Sequence, residues 1–275
     1  TGSENTFAAS AFIQLPFSKV KPLLKEKNLF YRKGNYLDNF FTTKTMSKIY
    51  TDEFFKQGFF SVQDESAGLA SKLVSPQKGD LILDVCAAPG GKTAFMSEMM
   101  NNEGQIIAVD KYLSRIEVMN SNLNRLGVKN AVTIHDDISD PKSPELKEAL
   151  LGKADKILVD APCSGLGVLS KKPDIKWKRE KEDIEKLNRL QSEILENSVK
   201  YLKPEGAIIY STCTTETEEN FNVVEEFLKN HTEFKIDRAE NYVNEKVVNK
   251  EGCIELFPHI HNVDGAFSVR LVRTN

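Results

Sequence analysis

The sequence predicts an α/β fold, a doubly wound and mainly parallel sheet with helices on both faces. Three observations predict it. Short apolar runs such as Leu81-Ile82-Leu83 and Ile106-Ile107-Ala108-Val109 stop abruptly at polar residues, as strands buried on both faces do. Helical stretches separate these runs in a regular alternation. The runs also end on residues that carry chemistry, namely Asp84, Asp110, Asp136-Asp137, Asp160 and Ser211-Thr212. In such sheets ligands bind at the carboxyl ends of the strands.

In chain order, Glu65 to Val74 reads as a helix, followed by a strand over 81–84 and a helix over 92–100. A strand follows at 105–110, then a helix over 113–126 stopped by Gly127, and a strand at 131–135. The second half reads as a strand at 156–159, a helix over 183–202 and a strand at 207–211. A helix over 217–230 and a closing strand over 267–272 complete the chain. Residues 1–60 differ, with Phe12, Phe17, Phe30, Tyr31, Phe40 and Phe41 interleaved with Lys19, Lys21, Lys25, Lys27, Arg32 and Lys33. They are expected to form an accessory module with a helix over 17–29, and 61–275 the catalytic domain. Basic residues mixed with aromatics suit single-stranded RNA, though a solvated face over an aromatic core has the same composition.

Composition narrows the function classes. At 275 residues the chain can enclose a substantial core, and 40% hydrophobic with 28% charged residues is ordinary globular material. A net charge of −3 argues against a uniformly basic nucleic-acid binder but leaves room for a local basic cleft. No apolar run approaches a membrane span and no secretory signal opens the chain, so a cytoplasmic protein is expected. Thr1-Gly2-Ser3 reads as an expression remnant or a cut into a longer protein. Cys86, Cys163, Cys213 and Cys253 are far apart with no C-x-x-C pair, so neither a zinc site nor a disulfide framework is expected. Cys253 reads as a buried small hydrophobe.

The turn after the first parallel strand carries the strongest signal. Leu81 to Thr93 reads LILDVCAAPGGKT. A P-loop would need a glycine where Cys86 stands, and a dinucleotide fingerprint needs more than the pair Gly90-Gly91. A third reading is a methyltransferase turn, in which S-adenosylmethionine is held without a pyrophosphate cradle. That cofactor needs a partner for its ribose, and Asp110 ends the next strand 19 residues past Gly91. The spacing is near the roughly 20 residues that ribose recognition favours, with a helix cap the plainer alternative. Two of the four cysteines, Cys163 and Cys213, follow successive strands, so neighbouring strands would bring both into one cleft.

DVCAAPGGKT at 84–93, DAPCSG at 160–165 and STCT at 211–214 resemble the motifs of RNA cytosine-5 methyltransferases of the Nop2/Sun family. FSVQDESA at 60–67 and KPDIKW at 172–177 extend the resemblance, which runs to Asp264-Gly265-Ala266-Phe267. Within that family the chain is most similar to the bacterial small-subunit (16S) ribosomal RNA enzymes, the RsmB-like branch. Those carry a further N-terminal helical domain of the NusB type that is not in this sequence. Thr214 stands where the family often has Ser.

The resemblance implies a class I, Rossmann-like methyltransferase fold with S-adenosylmethionine as cofactor. It implies contacts to the cofactor from Cys86, Ala87, Ala88, Pro89, Gly90, Gly91, Lys92, Asp110, Asp137 and Asp160, with Asp136 the rival to Asp137. It assigns Cys213 as nucleophile, Cys163 as the residue assisting release, and Asp160 as the partner of the base edge. The chemistry is reasonable, because carbon 5 of cytosine is a weak nucleophile until a thiolate adds to carbon 6. A thiol titrating near 8.5 needs a positive neighbour or a helix N-terminus to react at neutral pH, and Lys92 is a candidate. In DNA cytosine methyltransferases the Pro-Cys cysteine, here Cys163, is the nucleophile, which would leave Cys213 without a role. A binding protein that keeps the fold without turnover is the remaining alternative. Lys171, Lys172, Lys176, Trp177, Lys178 and Arg179 follow the Cys163 loop and are expected to line an RNA path, with Trp177 as core packing the alternative. RNA is thus the expected partner, small-subunit ribosomal RNA in particular, for a monomer with no metal. The glutamates from Glu216 to Glu226 read as the solvated face of a helix.

Overall fold

The computed structural model describes residues 9–13, 25, 31–43, 50–140, 146 and 150–274. Five parallel strands build the centre, β5 (Leu81–Val85), β6 (Gln105–Asp110), β7 (Ala131–His135), β8 (Ala154–Asp160) and β9 (Leu202–Thr212). Around β5 the order reads β7-β6-β5-β8-β9, so the chain reverses its direction of winding between β5 and β8. That reversal opens a crevice at the carboxyl ends of both strands, the usual ligand position in such sheets. The closing strand β12 (Ala266–Arg273) runs antiparallel beside β9, and β10 (Phe234–Ile236) and β11 (Ile254–Leu256) pair with it.

Alternation along the strands feeds two cores. Leu83, Val85, Ile157, Val159, Ile208 and Tyr210 face α5 (Lys181–Ser198) and α6 (Phe221–Asn230) through Ile194, Leu195, Val224 and Phe227. Ile82, Ile106, Leu158 and Ile209 face the other way, onto Leu69 and Leu73 of α2 (Glu65–Val74) and Phe95 and Met96 of α3 (Gly91–Met99). On β5 this puts Asp84 on the Ile82 side, against α3. α4 (Leu113–Arg125) packs Ile116, Met119 and Leu123 against Ala87, Ala88 and Ala108 near the cofactor-type turn.

The expected helix over 183–202 begins at Lys181 and ends at Ser198, where a 3-10 turn (Val199–Tyr201) leads into β9 at Leu202. The pairing of β9 with β8 is irregular between Leu202 and Ala207, with Glu205 at φ 61°, so the strand starts before its apolar run does. The helix expected over 217–230 is split into a 3-10 turn (Thr217–Glu219) and α6.

The N-terminal strands β1 (Ala9–Ile13), β2 (Tyr31–Lys33), β3 (Phe40–Thr43) and β4 (Phe60–Val62) form a separate antiparallel sheet in the order β2-β3-β1-β4. A short helix, α1 (Glu53–Lys56), precedes β4. The helix expected over 17–29 lies outside the described residues, apart from Lys25. Glu65 ties this sheet to the larger one, its buried carboxylate accepting from the Asn35, Tyr36 and Leu37 amides at 2.8, 2.7 and 2.6 Å. Arg125 adds a second tie, stacking 3.9 Å from the Phe55 ring centroid and donating to the Phe55 and Phe60 carbonyls.

Candidate active site

The turn after β5 is built by backbone contacts. Cys86 takes φ 62°, Ala87 N donates to Val109 O at 2.9 Å, and Gly90 N closes back onto Ala87 O at 2.9 Å. Gly90 has φ 91°, and a Cβ there would meet the Met119 side chain at 2.8 Å, so glycine is required on two counts. The Ala88–Pro89 peptide is cis. From Gly91 the chain runs into α3, which brings Lys92 into the crevice and turns Thr93 inward, where its hydroxyl donates to Asp84 Oδ2 at 2.6 Å.

Carboxylates surround this turn. Asp110 ends β6, buried, with Oδ2 accepting from Ala88 N at 3.2 Å and standing 3.3 Å from the Arg115 guanidinium. Arg115 also donates to Ala88 O at 2.5 Å and so joins turn and carboxylate. Burial works against ionised Asp137, but Lys111 at 2.7 Å and the Ser139 amide and hydroxyl hold it below the usual carboxylate range. Its rival Asp136 accepts from Asp137 N at 2.8 Å through Oδ1, and its Oδ2 is buried with no hydrogen-bond partner among the described residues. Asp160 ends β8 and takes a 2.6 Å ion pair from Lys92. Burial disfavours the Lys92 cation, yet Asp160 keeps its pKa above the ordinary lysine value. Asp84 is fully buried with Oδ1 unpartnered, and desolvation raises its pKa to about 7 against the Thr93 hydrogen bond.

The two cysteines meet. β8 and β9 are neighbours, and Cys163 and Cys213 follow their ends with the sulfurs 2.8 Å apart. Cys213 N also donates to Cys163 Sγ at 3.2 Å. Cys213 is exposed and Cys163 partly covered. Their environments push them apart: the hydrogen bond from Cys163 lowers the Cys213 thiol, helped by Lys92 and Lys172, although burial and Asp160 oppose this. The same hydrogen bond raises Cys163, reinforced by burial. Cys86 is also raised, by burial and by the surrounding aspartates, while Cys253 is buried in the core and raised to about 12 by desolvation.

Of the basic segment, Lys172, Lys176, Trp177, Lys178 and Arg179 stand on the surface around a short 3-10 helix (Pro173–Trp177), Trp177 at 83% exposure. Trp177 is therefore not core packing. Lys171 differs, since its ammonium is ion-paired with both Asp64 and Asp264, at 2.8 Å for the latter, and fastens this loop to the start of α2. Sequence reasoning missed four residues here, Arg115, Gln191, Glu219 and Asn220. It also misread Glu219, which is fully buried rather than on a solvated face. Charge runs do not reveal which member turns inward. Among the described residues no group of acidic, histidine and cysteine side chains is arranged to hold a metal ion, and no helix is long and apolar enough to cross a membrane.

A parallel sheet with an antiparallel strand beside its last member, a glycine turn after its first strand and a carboxylate ending the next define a class I, Rossmann-like methyltransferase fold. The chain belongs to the 16S rRNA methyltransferase RsmB/F family, whose profile matches residues 71–272. Ribosomal RNA small subunit methyltransferase B of Shewanella oneidensis is 39% identical over 219 residues, covering 80% of this chain and 49% of that protein. A tRNA (cytosine(72)-C(5))-methyltransferase of Pyrococcus horikoshii is 34% identical over 217 residues, 79% of this chain and 53% of that one. Among solved structures, a methyltransferase homolog protein from Pyrococcus horikoshii superposes with a TM-score of 0.81 at 26% identity, covering 97% of this chain and 86% of that one. The chain spans about half the length of the curated relatives it matches.

Proposed function

We propose that the protein methylates carbon 5 of a cytosine in RNA, with small-subunit ribosomal RNA as substrate and S-adenosylmethionine as methyl donor. One observation carries the reading: an exposed thiol of lowered pKa at the end of β9 touches a second thiol of raised pKa at the end of β8. Two thiols of opposite tendency suit a reaction that needs a nucleophile first and a proton-handling group later. Cys213 is the nucleophile, adding to carbon 6 and making carbon 5 enamine-like. Carbon 5 then gains the methyl group and loses its proton to water, and the freed electron pair re-forms the carbon 5–carbon 6 double bond as the carbon 6–sulfur bond breaks and returns the Cys213 thiolate. Cys163 assists this release as a thiol held against the leaving sulfur. Asp160, steadied by Lys92, hydrogen-bonds the base edge and stabilises its protonated ring nitrogen.

The residues present fit the cofactor. The turn from Cys86 to Lys92 opens at the N-terminus of α3, where an anionic carboxylate is favoured. Asp110 serves the ribose hydroxyls and Asp137 the adenine side. The carboxylates of Asp110, Asp137 and Asp160 clustered there suit a positively charged ligand. When bound, that cofactor supplies an electrophilic methyl group. Lys172, Lys176, Trp177, Lys178 and Arg179 carry the RNA strand by charge and stacking, and the target base must be splayed out to reach Cys213. The N-terminal sheet serves as a second RNA-contacting module. In this reading the protein acts as a monomer on cytoplasmic RNA.

The test follows the two sulfurs through the reaction. With S-adenosylmethionine and ribosomal RNA, Cys163→Ala should accumulate a protein–RNA band that survives a denaturing gel, and Cys213→Ala should give neither band nor methylated product. The reverse pattern would support the DNA-type assignment of Cys163 as nucleophile. Parallel assays of tritiated methyl transfer into ribosomal RNA, transfer RNA and DNA fix the substrate class. Transfer only into transfer RNA or DNA would overturn the substrate, and transfer into none of them the activity.

A further inference from the structure

Glu219 is fully buried, and among the described residues it makes no ion pair. A buried carboxylate without a cation is costly, so the direction of its hydrogen bonds is informative. Its Oε1 accepts from Ser164 N at 2.8 Å and from Gln191 Nε2 at 2.9 Å, and the same Gln191 nitrogen donates to Pro162 O at 2.8 Å. Pro162 and Ser164 are the residues on either side of Cys163. The next residue does the same for the other thiol. Asn220 Nδ2 donates to Thr214 O at 3.1 Å, and Asn220 Oδ1 accepts from the Thr212 hydroxyl at 2.5 Å, so both neighbours of Cys213 are held. The Ser164 and Thr214 hydroxyls close the bridge between the two loops at 2.9 Å, and Tyr210 OH anchors the Glu219 carbonyl at 2.6 Å.

We propose that Glu219 and Asn220 are a pair of positioning residues, one gripping the Cys163 loop and the other the Cys213 loop, that together set the contact between the two thiols. Because they are consecutive, a single peptide unit joins the two grips, and it acts beside direct contacts between the loops, the Ser164–Thr214 hydroxyl bond and the bond from Gly167 N to Cys213 O at 3.1 Å. Sheet pairing alone sets the strands but stops at Asp160 and Thr212, before either cysteine. The part played by this contact in catalysis rests on the function proposed above. The positioning itself does not, and it can be read without RNA or cofactor.

The probe is diamide, which takes two electrons and two protons from a pair of thiols and leaves a disulfide and the reduced hydrazine. The rate of Cys163–Cys213 crosslinking is followed by non-reducing peptide mapping, with a thermal melt of every variant. Glu219→Ala and Asn220→Ala should each slow crosslinking by up to about 100-fold, the order expected for a misplacement of about 1 Å, with their melts still cooperative. Glu219→Gln keeps an acceptor for Ser164 N and should recover most of the rate. Gln191→Ala, which frees Pro162 and takes one donor from Glu219 but leaves Ser164 N held, should fall between. In turnover, Glu219→Ala should accumulate the covalent RNA adduct as Cys163→Ala does, whereas Asn220→Ala should slow adduct formation. Crosslinking within about twofold of wild type in folded variants at both positions overturns the proposal. If Glu219→Ala does not fold, wild-type rates in Asn220→Ala and Gln191→Ala overturn it equally. Slowed crosslinking in a protein that methylates no nucleic acid would leave the positioning standing and remove the proposed function instead.

Discussion

Replacing Asp84 by Asn should remove a pH dependence of stability that originates at the centre of the site. Asp84 is fully buried, its Oδ2 accepts the Thr93 hydroxyl, its Oδ1 has no partner, and Asp160 and Asp110 add negative charge nearby. Burial raises its pKa from the ordinary 3.8 to about 7. Between those two values the folded protein keeps a proton that the unfolded chain has released. Stability therefore falls as pH rises through this window and levels off above about pH 7. The full difference is worth about 4 kcal/mol.

Asparagine has the same shape and no charge to desolvate, and its carbonyl still accepts from Thr93. Its amide N–H groups inherit the unpartnered Oδ1 position, at a cost of about 1–2 kcal/mol. Asp84→Asn should then be the less stable protein near pH 4 and the more stable above pH 7, by about 2–3 kcal/mol, the curves crossing near pH 5. Urea denaturation from pH 4 to 8.5 measures this, read by circular dichroism because Trp177 is too exposed to report on the core. Taking variant minus wild type removes other titrating groups such as His231. Parallel curves, or a variant less stable throughout, would refute the buried, uncompensated carboxylate.

S-adenosylmethionine should raise the melting temperature by linkage and ATP should not; Asp110→Ala should weaken the shift through the proposed ribose contact, and stabilisation by ATP alone would return the turn to a P-loop reading. Replacing Lys172, Lys176, Lys178 and Arg179 together by Ala should weaken RNA binding and flatten its salt dependence by roughly one log–log unit for each phosphate no longer neutralised. Filter binding at several salt concentrations reads this, and an unchanged slope would mean that the RNA path lies elsewhere.

The parallel core was legible because each strand carries its own signal. Gln105–Asp110, Ala131–His135 and the helix Glu65–Val74 have the bounds their patterns predict. The N-terminal sheet was not, since β1 takes its partners from β3 and β4 far along the chain, and mixed aromatics and lysines leave no period to read. At the site, the residues that carry chemistry stand at strand ends and could be counted. The residues that hold them could not. Lys171 reads as one more cation in a basic run, and only the fold brings Asp64 and Asp264 to it. Glu219 is one of several glutamates, and its inward turn depends on Ser164 and Gln191 in other elements.

The same strand ends that suit a cationic cofactor create a difficulty for the nucleophile. Burial first, and then Asp160 and Asp110, raise Asp84 and Cys86, and Asp160 also works against a thiolate at Cys213. Much of the positive charge nearby is already paired, Lys92 with Asp160, Arg115 with Asp110 and Lys111 with Asp137. Lys92 and Lys172 still favour the thiolate, but a long-range field cannot easily serve both ligand and nucleophile when they prefer opposite signs. A hydrogen bond acts only over its own length, and the largest influence lowering Cys213 is the one from Cys163. Activation by contact lets one thiol ionise without making the crevice positive. It also makes the ease with which Cys213 ionises, though not its ability to add, depend on where Cys163 stands. That dependence gives a physical reason for holding the residues on both sides of each cysteine, Pro162 and Ser164 through Glu219 and Gln191, Thr212 and Thr214 through Asn220.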